Sequence, residues 1–393
     1  MSQSPKKHQT TSLWTSDYVL TLLTSHFLFA SYTSLFTMLP PYIIDRGGSE
    51  WHIGLVVGSF GTVSLLVRQL AGKWIYRLGP KTVAIIGSLI FAIASSAFLI
   101  PLDTFAMIPV RIIQGIGMAM TPVATVTMVA NLSPTNRRAE ALSYHGNAVA
   151  LSGLYAPLVG FWLIGNYSYS HGFLYCAICS VLSMCMALRI SHQRTAFMTS
   201  ENSEYNAPFI AKGAIFPTLI FISYTLTTAP VHTFLPILAS ERGLGNPGLF
   251  FTVHSIVTIF AMLISGRAAD KFGRSALIIP GLISTSLGMF MLMLSHNQFI
   301  FLVAAFATGG GFGMIQPAMQ SFTIDRVPRH QRSAALATLQ SGWDIGGSGG
   351  ALLLGPVAGI FTTASTFGIA GAGTVIGSLC FFTGPRKTKN VTS

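Results

Sequence analysis

The chain has 393 residues, of which 51% are hydrophobic and 9% charged, with a mean hydropathy of +0.60. Soluble domains carry roughly 25% charged residues, so a water-soluble globular fold is excluded. The net charge of +12 would suit a nucleic-acid partner. However, the cations come in twos and threes between apolar stretches rather than in one patch, which is a membrane-topology pattern and argues against nucleic acid.

The first 16 residues form a polar tail with Lys6 and Lys7, and the apolar span that follows is too long for a signal-peptide core. Apolar spans are predicted at 17–44, 51–71, 81–101, 104–131, 141–165 and 171–190, then at 213–239, 248–266, 275–295, 298–324, 333–360 and 364–383. Each falls close to or above the ~20 residues that cross the hydrocarbon layer. Lipid offers no hydrogen bonds to bare backbone, so each must be helical. Twelve spans put both termini on one side. That side receives nineteen of the Lys and Arg residues and the other only Arg46 and Arg242, with Arg68 and Arg111 left inside spans. Both termini are therefore expected in the cytoplasm, with the chain multi-pass in the cell (inner or plasma) membrane.

A polar gap at 191–212 reads as a flexible cytoplasmic linker. It separates a unit at 17–190 from a unit at 213–383, and residues 384–393 form a C-terminal cytoplasmic tail. The loops after spans two and eight match at an offset of 194 positions: Gly72-Lys-Trp-Ile-Tyr76-Arg77-Leu-Gly79 against Gly266-Arg-Ala-Ala-Asp270-Lys-Phe-Gly273-Arg274. Gly115 to Pro122 answers Gly310 to Pro317, and Arg138 to Leu142 answers Arg332 to Leu336. The predicted fold is an all-α membrane protein with 12 transmembrane helices in two six-helix, pseudo-symmetric bundles.

With these motifs the sequence resembles a major facilitator superfamily transporter over its whole length apart from the tails. Gly266 to Arg274 is similar to the family loop signature G-x-x-x-D-R/K-x-G-R, and Arg111-Ile-Ile-Gln114-Gly115-Ile-Gly117 to the fourth-helix signature R-x-x-Q-G-x-G. Two departures stand out. Tyr76 occupies the position of the family aspartate, and the helix-five exporter motif survives only as Ser152-x-x-x-Ala156-Pro157-x-x-Gly160-Phe161, with a better copy at Gly355-Pro356-x-x-Gly359. The overall look is of a 12-helix bacterial drug or metabolite:proton antiporter. Asn246-Pro-Gly-Leu-Phe-Phe and Asp344-Ile-Gly346 followed by Gly350 to Gly359 resemble the branch that includes metallophore and siderophore exporters.

Asp344 is the only acidic residue deep in a span. Lipid surroundings penalise a bare carboxylate, which makes Asp344 a candidate proton carrier; the alternative is a structural ion pair or a helix-to-helix hydrogen bond. Arg111, Gln114, Met118, Thr121 and Thr125 recur at helical spacing as one stripe of span four. The resemblance implies a coupling role for Arg111, and the bland reading is a salt bridge. Among the histidines within spans, His26, His145 and His254, the first choice for a proton relay is His145, with hydrogen-bonded packing as the alternative. Substrate-cavity candidates are Gln114, Thr121, His26, Asn147, Gln316 and Gln320. A cytoplasmic gate is expected from Gly72, Arg77, Gly79, Gly266, Asp270, Gly273, Arg274 and Arg332, with Asp270 pairing to Arg274 or Arg332.

Cys176-x-x-Cys179 lies in an apolar span without further ligands and reads as packing, so no metal is expected. No Walker motif or cofactor fingerprint is present, and neither an acid–base pair nor a nucleophile stands at enzymic spacing. The expected function is proton-coupled export of a small organic molecule such as a drug, metabolite or metallophore by alternating access. Uptake by symport and a non-transporting sensor are the alternatives. The expected partners are the small-molecule substrate, protons and the lipid bilayer, and family analogy implies a monomer.

Overall fold

The computed structural model describes residues 13–133, 138–191, 211–327 and 332–384. The first six helices are α1 (Ser16–Asp45), α2 (Glu50–Leu78), α3 (Pro80–Ala97), α4 (Met107–Leu132), α5 (Arg138–Asn166) and α6 (Tyr169–Arg189). After the 191–212 segment come α7 (Ile215–Thr225), α8 (Thr228–Thr233), α9 (Leu235–Glu241), α10 (Gly248–Phe272), α11 (Ser275–Met293) and α12 (Gln298–Ile324). The last are α13 (Arg332–Trp343), a π-helical turn at Asp344–Gly349, α14 (Gly350–Ile360) and α15 (Thr363–Thr383). No strand occurs among the described residues.

Among the described residues, eleven helical stretches are long and apolar enough to cross a membrane. The twelfth expected span is the run α13–π turn–α14, a single helical path divided at Asp344. Large apolar side chains point outward along these helices, among them Ile264, Phe299 and Leu353, each more than two-thirds exposed. Water would drive such a surface to aggregate, whereas acyl chains solvate it.

Short polar caps set the helix ends. The Thr15 hydroxyl accepts from Tyr18 N at the start of α1, Asn297 Oδ1 accepts from Ile300 N at the start of α12, and Thr362 Oγ1 accepts from Ser365 N at the start of α15. Expected span seven is not one helix but three. Pro230 and Pro236 lack the N–H that would bond the carbonyls of Leu226 and His232, so the helix breaks near each.

The internal repeat appears in contacts as well as in sequence. A Cβ added to Gly115 would strike Phe60 O, and one added to Gly309 would strike His254 O. Gly117 meets Gly87 O, and Gly311 meets Gly281 O. Each residue of these pairs lies 194 positions from its counterpart (Gly115 to Gly309, for example), so the α2–α4 and α3–α4 crossings are rebuilt as α10–α12 and α11–α12. Gly79 and Gly273 are related by the same offset and share a positive φ, 81° and 88°.

At Gly79 the ψ of 153° places the residue in backbone space open essentially to glycine. Nothing lies within 4 Å of a Cβ added there. Gly79→Ala is therefore expected to destabilise through backbone strain alone, by about 1–3 kcal/mol, seen as a lower thermal midpoint of the solubilised protein. An unchanged midpoint would contradict this.

The halves α1–α6 and α7–α15 meet along α2 against the π turn and α14, α5 against α10, and α1 against α8 and α9. The largest apolar cluster joins both halves at the end away from the termini. It includes Phe36, Tyr42, Ile53, Phe234, Phe251 and Leu354. Clusters toward the terminus-bearing end, such as those around Tyr18, Val83 and Phe322, each belong to one half. Among the described residues, then, apolar packing seals the seam at one end and does not bridge it at the other.

Candidate coupling and substrate site

Along the α2 seam the contacts descend from Gly54 against Ala351 and Gly355, through Gly58 against Leu352 and Gly61 against Ser348, to an ion pair. Arg68 Nε donates to Asp344 Oδ2 at 3.0 Å and Arg68 Nη2 donates to Asp344 Oδ1 at 3.1 Å, a two-point match of fork to carboxylate. Ser64, one turn earlier on α2, accepts from Nη2 at 3.2 Å. The pair bridges the two halves, with Asp344 8% and Arg68 23% exposed.

Asp344 opens the π turn, and glycines make that widened turn possible. A Cβ on Gly346 would meet the Thr225 side chain and Leu226 N, and one on Gly350 would meet Leu226 and Ala229. Both contacts fall where span seven breaks between α7 and α8, and Thr225 Oγ1 donates to Gly342 O at 2.6 Å. Two discontinuous helices thus abut beside the carboxylate. π turns are frequent at functional positions, and broken helices mark the sites of many transporters.

Arg111 on α4 is completely buried. Its Nη1 donates to Gln114 Oε1 at 2.5 Å, and Gln114 Nε2 donates to Ser95 Oγ on α3 at 2.9 Å. The guanidinium lies 4.2 Å from the Phe60 ring centre and 5.5 Å from that of Phe36. Nε and Nη2 have no hydrogen-bond partner. Tyr32, stacked on Phe60 at 5.4 Å, stands within electrostatic reach of Arg111, Asp344 and Arg68.

Other sequence candidates lie away from this cluster. His145 is buried between α1 and α4, with Nε2 2.8 Å from Ser25 Oγ and 3.4 Å from Thr125 Oγ1. His26 locks α1 to α5: its Nδ1 is 2.8 Å from Ala148 O and its Nε2 2.9 Å from Tyr155 OH. A carbonyl can only accept, so Nδ1 carries the proton and Tyr155 donates to Nε2. Gln114 orients Arg111, while Thr121 is buried on α4, bonds Gly117 O and packs against Gly87 of α3. Asn147 is half-buried on α5, as are Gln316 and Gln320 on α12, and Gln316 Oε1 is without a partner.

Of the expected gate, Gly72, Arg77 and Gly79 end α2, with Arg77 exposed. The surroundings of Gly266 and the side chains of Asp270 and Arg332 lie outside what is described, as does the pairing expected of Asp270. Arg274 meets Asp325, at the end of α12, at 3.6 Å within the C-terminal half. Both side chains are substantially exposed, so that contact contributes at most about 1 kcal/mol.

Sequence reasoning left Arg68 inside span two without a role. The available clue was charge: an intramembrane cation and a lone intramembrane carboxylate are each other's natural partners. It also passed over a small recess in the C-terminal half, lined by Tyr224, His232, His254, Phe312 and Trp343 among others.

The sequence model of the Major Facilitator Superfamily matches residues 21–245 and 209–393. The staphylopine export protein of Staphylococcus aureus (strain Mu50) is 24% identical over 357 residues, covering 86% of this chain and 88% of that protein. Quinolone resistance protein NorA of Staphylococcus aureus (strain MRSA252) is 20% identical over 293 residues, covering 72% and 75%. Among solved structures, a D-xylose–proton symporter superposes with a TM-score of 0.78 at 17% identity, covering 96% of this chain and 99% of that one. A POT family transporter in complex with 5-aminolevulinic acid gives 0.80 at 12% identity, covering 93% and 95%. At these identities the structural likeness concerns the fold.

Proposed function

The chain belongs to the major facilitator superfamily, and from that premise we propose that it exports a small organic molecule in exchange for protons by alternating access. Two named relatives are an exporter and a resistance protein. The observation that carries the coupling is the Arg68–Asp344 pair, placed between the halves where the apolar seal gives way. Protonating Asp344 removes the ion pair and frees Arg68, so proton binding acts directly on the contact between two units taken as 17–190 and 213–383. One charge moved down 100 mV releases about 2.3 kcal/mol, comparable to a single such contact.

With both termini in the cytoplasm of a cell whose plasma membrane holds the protein, the conformation described is open toward the cytoplasm. In that frame the glycine-ended loops at Gly72–Gly79 and Gly266–Arg274, with Arg332, form the cytoplasmic gate that closes in the opposite conformer. Arg111 supports coupling through its field, since Tyr32 lies within electrostatic reach of both Arg111 and the ion pair. His145, satisfied by two hydroxyls within the N-terminal half, is a weaker relay than Asp344.

The test uses vesicles of purified protein carrying a pH gradient, with candidate compounds added to the outside. Antiport predicts that a transported compound dissipates an interior-acid gradient as it enters, and that deleting the gene leaves more of it inside cells. Accumulation of the compound on the side toward which protons flow would establish symport instead. Absence of any gradient response would remove proton coupling.

A further inference from the structure

We infer that a small, water-filled recess holding His232 and His254 is the route by which Asp344 exchanges protons with the non-cytoplasmic side. The inference rests on Asp344 being the coupling group, as proposed above.

Asp344 has a way to the cytoplasmic opening past the partly exposed Arg68. Toward the other side the apolar seal stands in the path, and its members Phe36, Phe234 and Phe251 have no group that holds a proton. His232 enters this seal from α8, between the breaks at Pro230 and Pro236. Its ring stacks on Phe251 at 5.4 Å and meets Phe36 edge to face at 5.6 Å. Its Nδ1 is buried and has no hydrogen-bond partner.

The recess beside His232 offers about 50 Å³ and is bordered also by Tyr224, Thr227, His254, Phe312 and Trp343. A water needs ~10–15 Å³ of such space and a few polar partners, so about three fit. The partners are present. Thr308 Oγ1 donates to Ala304 O at 2.9 Å, so toward His254 it accepts. His254 Nδ1, 3.1 Å away, is then the protonated ring nitrogen, and Nε2 is a bare acceptor. His232 Nδ1 and the Tyr224 hydroxyl complete the set.

Imidazole takes a proton on one nitrogen and gives one up from the other, which a relay through water requires. Phe251 under His232 and Phe250 under His254, the latter at 6.0 Å, present ring faces that favour the transient cation. No carboxylate, lysine or arginine borders the recess to trap the proton, and Tyr224 is its one other titratable group. Arg111 lies beyond Phe36, 5.5 Å from that ring centre, and Glu241 at the end of α9 is taken by Thr363.

The recess ends against the π turn. Trp343 on its wall immediately precedes Asp344, and a Cβ on Gly347 would stand 3.1 Å from Thr228 Oγ1, also on the wall. One proton from outside thus passes the imidazoles, converts the Asp344 carboxylate to the acid and releases Arg68. The imidazoles end as they began.

The test needs no solute. The purified full chain is sealed into vesicles in each orientation, the outside is acidified, and protonation of Asp344 is followed as the infrared carboxylic-acid band that Asp344→Asn removes. With the non-cytoplasmic face outward, His232→Gln and His254→Gln should delay that band at least about tenfold, because a positioned proton-transfer group contributes about 10²–10⁴-fold. With the cytoplasmic face outward the same variants should leave its rate unchanged. Should the imidazole variants not fold, Tyr224→Phe removes only a hydroxyl from the wall and should show the same one-sided delay in smaller measure. Equal rates in variant and unaltered protein from the non-cytoplasmic side overturn the relay. Equal slowing from both sides also overturns it, since the histidines would then act only through packing. If no band belongs to Asp344 at all, the coupling proposal itself fails, a result distinct from an Asp344 band that the histidine variants do not delay.

Discussion

Asp344→Asn is expected to abolish gradient-driven transport while leaving downhill exchange of the solute. Asparagine keeps the shape of the side chain but can neither hold the negative charge nor give up a proton, so the step that links proton movement to the seam disappears. Arg68 is then left uncompensated in a mostly buried position. Removing one partner of a buried ion pair is destabilising by about 3–5 kcal/mol. With Arg68 23% exposed, the lower end of that range applies. About 3 kcal/mol corresponds to roughly a 100-fold change in an equilibrium, and it falls on the conformer in which this pair is made.

Three measurements resolve the matter: pH-driven uptake into vesicles, solute exchange without a gradient, and the thermal midpoint. Adding Arg68→Gln to Asp344→Asn should recover most of the lost stability, because no lone charge remains, without recovering coupling. Unaltered pH-driven uptake by Asp344→Asn would sink the proton role.

The second large effect is structural. Gly309→Val and Gly115→Val are expected to prevent a stable fold, each by about 3 kcal/mol or more. A Cβ at Gly309 would overlap His254 O, and one at Gly115 would lie 2.5 Å from Phe60 O. These are backbone atoms and cannot rotate aside, so α12 must move from α10, or α4 from α2. Small residues at such crossings are what lets membrane helices pack closely. The control is Gly146→Ala on α5, where nothing lies within 4 Å. There the substitution should be neutral or stabilise by up to about 1 kcal/mol through helix propensity. Monodisperse yield and thermal midpoint after solubilisation separate the two cases. Equal behaviour of Gly309→Val and Gly146→Ala would mean that the crossings do not hold the fold.

Legibility differed sharply between fold and site. The spans could be read because a run of apolar residues in lipid has one stable backbone solution, whatever its neighbours do. The loop bias of Lys and Arg is equally local. The repeat was visible because Gly79 and Gly273 answer the same backbone demand, as do Gly115 and Gly309. The breaks were harder. Pro230 and Pro236 interrupt an apolar run without changing its hydropathy, and the π turn at Asp344 is built on glycines that also read as ordinary packing residues.

The stripe on α4 shows why the site resisted. Spacing placed Arg111, Gln114 and Thr121 on one face, yet Gln114 turns to Ser95 of α3 and Thr121 to Gly87 of the same helix. A stripe states which residues lie together, not which neighbour they meet.

Membrane insertion, helix number and internal duplication follow from properties each segment holds alone, so the amino-acid order sufficed for them. The meeting of Arg68 with Asp344, 276 positions apart, and the open edge left on Arg111 did not follow from it. They depend on how far each helix is rotated about its axis and where two halves touch, and that is settled by packing across the whole bundle.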